Sequence, residues 1–176
     1  MNKVYGIGLP RTGTSSLAVA LKNIGYTTRH FCVLHDSEHL AYDDPYITVL
    51  IDNAFYLKCK ETIKQILLTQ DKDSLFILTT RSSTDWYNSI SKFYKVPNNL
   101  PDIDVYEKLI RSVFRSLNKE DNLLVINVFE DFKCLEKICD FIQVPHQDIT
   151  FPHIKKEHGP DLNSILEEQI VLTKIY

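Results

Sequence analysis

The sequence predicts an α/β protein, one domain over residues 1–176, in which helices cover both faces of a central parallel sheet to give three layers. Two patterns carry that prediction. Short apolar runs alternate with segments of helical periodicity along the chain, and each run is continuously apolar instead of alternating with polar residues, as a strand buried on both faces requires. Composition permits it. Of the 176 residues 44% are apolar, enough for a core, and the 24% that are charged are mixed in sign, unlike a disordered chain.

Val4 to Gly8 is the first apolar run and leads straight into a glycine loop. From Ser15 the pattern turns helical, with Leu17, Ala20, Leu21 and Ile24 at i, i+3, i+4, i+7 and Gly25 as the stop. Residues 26 to 46 are polar and irregular, with a histidine-rich stretch. Ile47 to Ile51 is a β-branched run, and Asn53 to about Thr69 reads as a helix through Ile63, Ile66 and Leu67. Leu75 to Thr80 is the clearest strand and ends in Arg81. The helix after it takes Ser82 or Ser83 as N-cap and sets Trp86, Ile90 and Phe93 on one face, until "KVPNNLPD" breaks it. Val105 to Leu117 is a further amphipathic helix, Leu123 to Val128 a strand, Asp131 to Ile142 a helix, "VPHQD" a turn, and a last helix starts near Asp161. Ligands of such sheets bind beyond the carboxyl ends of the strands, where strand order switches. Residues 8–15 and 81–89, each directly after a strand, are therefore the places to look.

The formal net charge of −3, with no basic run, argues against a broad nucleic-acid surface but leaves room for a local anion pocket. One Lys ahead of a short apolar run makes no signal peptide, and no stretch approaches the roughly 20 apolar residues of a membrane span. Cys32, Cys59, Cys134 and Cys139 form no C-x-x-C pair, so reduced thiols in a cytoplasmic setting are expected.

In "YGIGLPRTGTSSL", Gly8 and Gly13 have the spacing of a Walker loop, G-x-x-x-x-G-K-[ST], but Thr14 stands where its lysine belongs. A strand, glycine loop and helix in succession aim backbone N–H groups and the positive end of a helix dipole at one spot. Thr12, Thr14, Ser15 and Ser16 add hydroxyls there and Arg11 a permanent cation with a forked donor set. The plain alternative is a tight turn whose glycines only permit strand and helix to pack. Without the lysine that reaches the β- and γ-phosphates, ATP fits poorly.

"PRTGTSSL" resembles the phosphosulfate-binding loop of the sulfotransferases, which in cytosolic members reads P-K-S-G-T-T-W, and it is closer to a branch with a G-L-P-R-T-G-T-[ST]-S-L loop. In that register Arg11 stands for the catalytic lysine. The resemblance implies a P-loop NTPase-like sulfotransferase fold and a donor, 3′-phosphoadenosine 5′-phosphosulfate, whose product is adenosine 3′,5′-diphosphate. It makes Pro10, Arg11, Thr12, Gly13, Thr14, Ser15 and Ser16 donor-binding residues. "FILTTRSSTDWYNSISKFY" is similar to the family's second donor segment, with Arg81 and Ser89 eight residues apart, the spacing the family uses on the 3′-phosphate. By itself Arg81 could equally pair with Asp85. "VINVFEDFKCLEKICDFIQVP" resembles the strand, "YEDL" and "FLGVP" segment, with Phe129 in the tyrosine position and Glu130 and Asp131 capping or tethering a helix. In "FPHIKKEHG", Lys155 and Lys156 stand where the family closes a basic segment over the 3′-phosphate.

The implied reaction moves a sulfuryl group to a hydroxyl or amine of an acceptor, small molecule, protein or glycan, which the sequence does not identify. It needs in-line positioning and charge stabilisation, and no metal. Arginine, always charged, cannot hand over a proton, so Arg11 takes a purely electrostatic role. A general base for the acceptor is sought in His30 or Asp52, with His35 and His39 as further candidates. "HDSEH" also fits an inverted zinc-protease pattern, but no third ligand is evident. Two other readings stand beside this one: a P-loop phosphotransferase or NTPase, and a non-catalytic nucleotide-binding relative.

Overall fold

The computed structural model describes residues 3–26, 28–29, 48–50, 64, 68, 73–93, 102–146 and 148–154. Five strands, β1 (Val4–Gly6), β2 (Thr28–Arg29), β3 (Thr48–Leu50), β4 (Leu75–Thr79) and β5 (Leu123–Ile126), form one sheet in the order β2-β3-β1-β4-β5. Every pairing is parallel. The strand β1 lies in the middle, with β3 on one side and β4 on the other, so strand order reverses around its carboxyl end. That is the position at which doubly wound sheets bind ligands.

The helices are α1 (Thr14–Asn23), α2 (Ser83–Phe93), α3 (Ile103–Ser116) and α4 (Cys134–Ile142), with a 3₁₀ turn at Glu120–Asn122. Successive strand residues go to opposite faces of the sheet. Tyr5, Ile7, Phe76 and Leu78 pack with Trp86, Ile90, Tyr106, Ile110 and Phe114 of α2 and α3. Val4, Leu75, Ile77 and Ile126 pack with Leu17, Leu21, Leu135 and Ile138 of α1 and α4. This division makes the three layers, and it explains why the strands read as unbroken apolar runs. On the first face Tyr5 and Phe76 stack with centroids 5.0 Å apart, and Phe114 meets Phe76 edge-on at 5.1 Å.

Element ends differ from the sequence reading where side chains intervene. The helix α1 does stop at Gly25, which takes φ +99° as Tyr26 N–H donates back to Leu21 O. The helix α3 starts two residues earlier than its periodicity indicates, because Asp102 accepts from the N–H groups of Asp104 and Val105. Conversely α4 begins at Cys134 and not at Asp131, whose carboxylate accepts from Lys133 N–H and folds residues 131–133 into a turn. The strand β2 falls inside the segment read as irregular; two residues are too few to show a period. The last helix, near Asp161, lies outside the described residues, as does most of the 53–69 helix, of which Lys64 and Leu68 are helical.

Candidate functional site

Three strand ends meet beside the amino terminus of α1. They are the loop after β1 (residues 7–13), residues 80–82 after β4 and residues 127–131 after β5. Gly8 lets the loop lie directly on β4. A Cβ there would overlap Thr79 Oγ1 and stand 2.8 Å from the Thr79 carbonyl, so no other residue fits.

Side chains capture the loop's carbonyls one after another. Tyr106 OH donates to Ile7 O at 2.8 Å, Thr12 Oγ1 to Leu9 O at 2.6 Å, Trp86 Nε1 to Pro10 O at 2.8 Å, and Arg81 Nη1 to Arg11 O at 3.3 Å. Acceptors thus point into the protein. At the end of the loop Gly13, at φ +98°, is the N-cap of α1; it has no side chain with which to cap the helix, and the first turn carries no acidic residue. The first N–H groups of a helix have no intrahelical acceptor, and they carry about half a unit of positive charge. With the Ile7, Leu9, Pro10 and Arg11 carbonyls occupied, a loop leading into a helix start of this kind favours anions.

Arg11 is in the left-handed region, at φ +68°. For a side-chain-bearing residue that costs about 1–2 kcal/mol. The bonds to the carbonyls on either side of it, from Trp86 and Arg81, contribute about 0.5–1.5 kcal/mol each, enough to offset it. The Arg11 side chain then reaches α2, where Nε donates to Ser89 Oγ at 3.1 Å. Arg81 spreads over the Phe129 ring, Cζ 4.3 Å from its centroid, and its Nε is buried without a hydrogen-bond partner among the described residues. Phe129 also touches the space beside Gly13 and lies near His153, ring centroids 6.4 Å apart.

The residues named from sequence divide into three groups. Arg11, Arg81 and Ser89 converge, and the hydrogen bond that Ser89 makes is with Arg11. Asp85 is engaged with Ser82, which caps α2: Ser82 Oγ lies 2.8 Å from Asp85 Oδ2 and accepts from Asp85 N–H. Gly13, Thr14 and Ser15 form the helix start, and Pro10 supplies the carbonyl held by Trp86. Thr12 and Ser16 depart from the expected ring of hydroxyl donors, since both are buried and turned inward. The Thr12 hydroxyl is shared between Leu9 O and Thr79 Oγ1, and Ser16 Oγ accepts from Ile154 N–H. His30, Asp52, Lys155 and Lys156 lie outside the described residues, as do His35, His39, Cys32 and Cys59.

Sequence reading missed Thr79, Trp86, Tyr106 and His153 as parts of the site, and it took the Phe129 segment as structural. A lone tryptophan in a segment already singled out was the available signal. Beside Phe129 a cavity of about 510 Å³ opens between α4 and residues 146–153, walled by Val128, Phe132, Cys139, Phe151 and His153. Cys134 and Cys139 are buried and form no disulfide, and burial together with the Asp131 charge pushes the Cys134 thiol above its usual range. Among the described residues no group of His, Cys, Asp and Glu could hold a metal ion, and no helix is long and apolar enough to cross a membrane.

Residues 3–67 match the family model described as a sulfotransferase domain. Over that segment, somewhat more than a third of the chain, it is similar to the sulfotransferases. Among solved structures, mouse sulfotransferase SULT7A1 complexed with PAP matches with a TM-score of 0.57 at 21% identity, over 84% of this chain and 60% of that one. The present chain thus spans about 60% of that relative's length, and the likeness establishes a shared α/β fold. No curated protein matches the sequence.

Proposed function

We propose that the chain is a sulfotransferase that takes a sulfuryl group from 3′-phosphoadenosine 5′-phosphosulfate. The observation that carries this reading is the 3.1 Å bond from Arg11 Nε to Ser89 Oγ, which ties the loop after β1 to the segment after β4 at an uncapped helix start. The residues fit such a donor. Arg81 keeps a buried Nε with no partner among the described residues at the same place, so the described part of the pocket offers a donor beyond those it uses. Its two cations and helix N-terminus suit a ligand with two anionic groups.

The donor, when bound, supplies the sulfuryl group. This chain's own residues hold and orient it. Gly13, Thr14 and Ser15 present N–H groups, and Arg11 is a fixed charge that cannot exchange its proton. Ser89, which accepts from Arg11, keeps its own hydrogen to donate onward. The cavity beside Phe129 and His153 lies within the 300–1,000 Å³ of ordinary ligand sites and is assigned to the nucleoside part. His30 or Asp52 as general base, and Lys155 and Lys156 as closing cations, extend the proposal, as does an acceptor of undetermined kind. A cytoplasmic location belongs to the same reading, supported by Cys134 and Cys139 lying buried outside any disulfide.

Calorimetry with adenosine 3′,5′-diphosphate, ATP and AMP tests it on wild type and Arg81→Ala. Selective binding of the 3′-phosphorylated nucleotide, lost in the variant, is expected, and Arg11→Ala should lower turnover by about 100- to 1,000-fold. Equal binding of ATP overturns the proposal.

A further inference from the structure

We infer that Trp86 is a positioning residue, one that never meets the anion yet sets where Arg11 points. The inference rests on the anion-site reading above for its binding arm alone. Trp86 is the single tryptophan of the chain; it is 4% exposed and packed in the cluster formed with α3, out of reach of a ligand at the helix start. Its indole N–H bonds the Pro10 carbonyl. That carbonyl belongs to the peptide plane just before Arg11, and the orientation of this plane about the Arg11 N–Cα bond is the Arg11 φ angle. The plane just after Arg11 is held at its own carbonyl by Arg81. Arg11 is thus clamped on both sides by residues from the segment after β4, in a left-handed conformation that a non-glycine residue does not choose unaided.

The consequence reaches the side chain. With the backbone in this conformation Nε meets Ser89 Oγ. If the Pro10–Arg11 peptide is released, φ is free to return to the negative range, which re-aims Cβ and everything beyond it. Trp86 and Ser89 lie on the same helix α2, so one rigid element carries both the clamp for the Arg11 backbone and the partner for its guanidinium. Tyr106, on α3, secures the loop one stage earlier, at Ile7 O.

The test compares the full-length wild type with Trp86→Phe, which keeps an aromatic ring in the cluster while removing the N–H together with part of the indole. A first arm needs no ligand. In ¹⁵N-labelled protein the one indole N–H signal should exchange slowly with water. The Arg11 Nε–H signal, assigned by its loss in Arg11→Lys, should be protected in wild type and exposed in both Trp86→Phe and Ser89→Ala. A freely exchanging indole, or an Arg11 signal unchanged in Trp86→Phe, overturns the inference whether or not any nucleotide binds. The second arm measures adenosine 3′,5′-diphosphate affinity by calorimetry. Trp86→Phe should bind about tenfold more weakly, the scale of one net hydrogen bond. The same substitution on an Arg11→Ala background should change nothing further. Ile90→Val, which loosens the same cluster, should bind as wild type does. An equal loss on both backgrounds, or an equal loss in Ile90→Val, means general loosening and refutes the positioning role. If wild type binds no adenosine 3′,5′-diphosphate, the functional reading fails while the first arm still decides the clamp.

Discussion

Gly13→Ala is the substitution whose cost can be divided into parts. Gly13 sits at φ +98°, where an L side chain is strained by about 1–2 kcal/mol. A Cβ at this position would also overlap Cγ2 of Val128, which is 1% exposed, and come within 3.5 Å of the Phe129 ring. Forcing extra volume into a packed site costs about 1–3 kcal/mol. The two parts sum to roughly 2–5 kcal/mol, or about 4–20 °C in melting temperature for a chain of this size. Urea unfolding of four proteins separates them: wild type, Gly13→Ala, Val128→Ala and the double variant. Val128→Ala alone should cost about 1–3 kcal/mol for two lost methyl groups and the space they leave. In the double variant the new Cβ enters that space. The combined cost should fall short of the sum by about 1–3 kcal/mol, leaving the backbone strain as the residue. Additivity to within about 0.5 kcal/mol would show that Gly13 and Val128 do not compete for one volume, and would refute the steric half of the reasoning.

The buried hydroxyl pair makes an ordered prediction. Leu9 O only accepts, so the single Thr12 hydrogen goes to it, and Thr79 Oγ1, 2.7 Å away, must donate to Thr12. Thr79→Val therefore removes one bond, for about 0.5–1.5 kcal/mol, whereas Thr12→Val strips two and strands a buried donor, for about 1–3 kcal/mol; thermal unfolding showing Thr79→Val the costlier would reverse the assigned direction. The Asp131 carboxyl is held below its usual value first by its hydrogen bond to Lys137, against the opposing effect of burial, with Lys133 N–H and the Lys137 charge also lowering it. A depressed carboxyl stabilises the fold above its unfolded pKa and stops doing so as pH falls through the folded value. Lys137 is 54% exposed, so Asp131→Asn should cost no more than about 1 kcal/mol at pH 7, a gap that closes in acid; a gap that stays constant down to pH 2 would contradict this.

What could be read from the sequence was local. The loop, the helix start behind Gly13 and the strand ending at Arg81 each follow from residues a few places apart, and so does the capping of α2 by Ser82. What could not be read depends on partners far along the chain. Ser89 lies eight residues from Arg81 and 78 from Arg11, yet it is Arg11 that it meets, because sheet order sets β1 beside β4 and packing of Trp86 sets the rotation of α2. Thr12 and Ser16 look like ligand hydroxyls in sequence, and only the nearness of Thr79 and of Ile154 N–H turns them inward. Phe129 gave no sign of its role, since facing Arg81 and Gly13 requires β5 to lie next to β4.

The same geometry bears on having arginine where a phosphosulfate loop of the cytosolic kind has lysine. A lysine ammonium is a compact point charge, whereas a guanidinium is a plane with five donors spread over three nitrogens. Arg11 commits Nε, the nitrogen nearest the backbone, to Ser89, and this bond fixes the plane of the whole group without exhausting it. Because Ser89 is the acceptor in that bond, its own O–H is left pointing elsewhere. The contact therefore orients one cation and one hydroxyl together, and it need not be broken for either to meet an anion. A side chain aimed in this way requires its backbone to be held where arginine does not go spontaneously, and the bonds to the Pro10 and Arg11 carbonyls do that. The left-handed residue, the tryptophan behind it and the arginine beyond it are then one device, and replacing Arg11 by lysine would keep the charge while losing the plane that the device exists to orient.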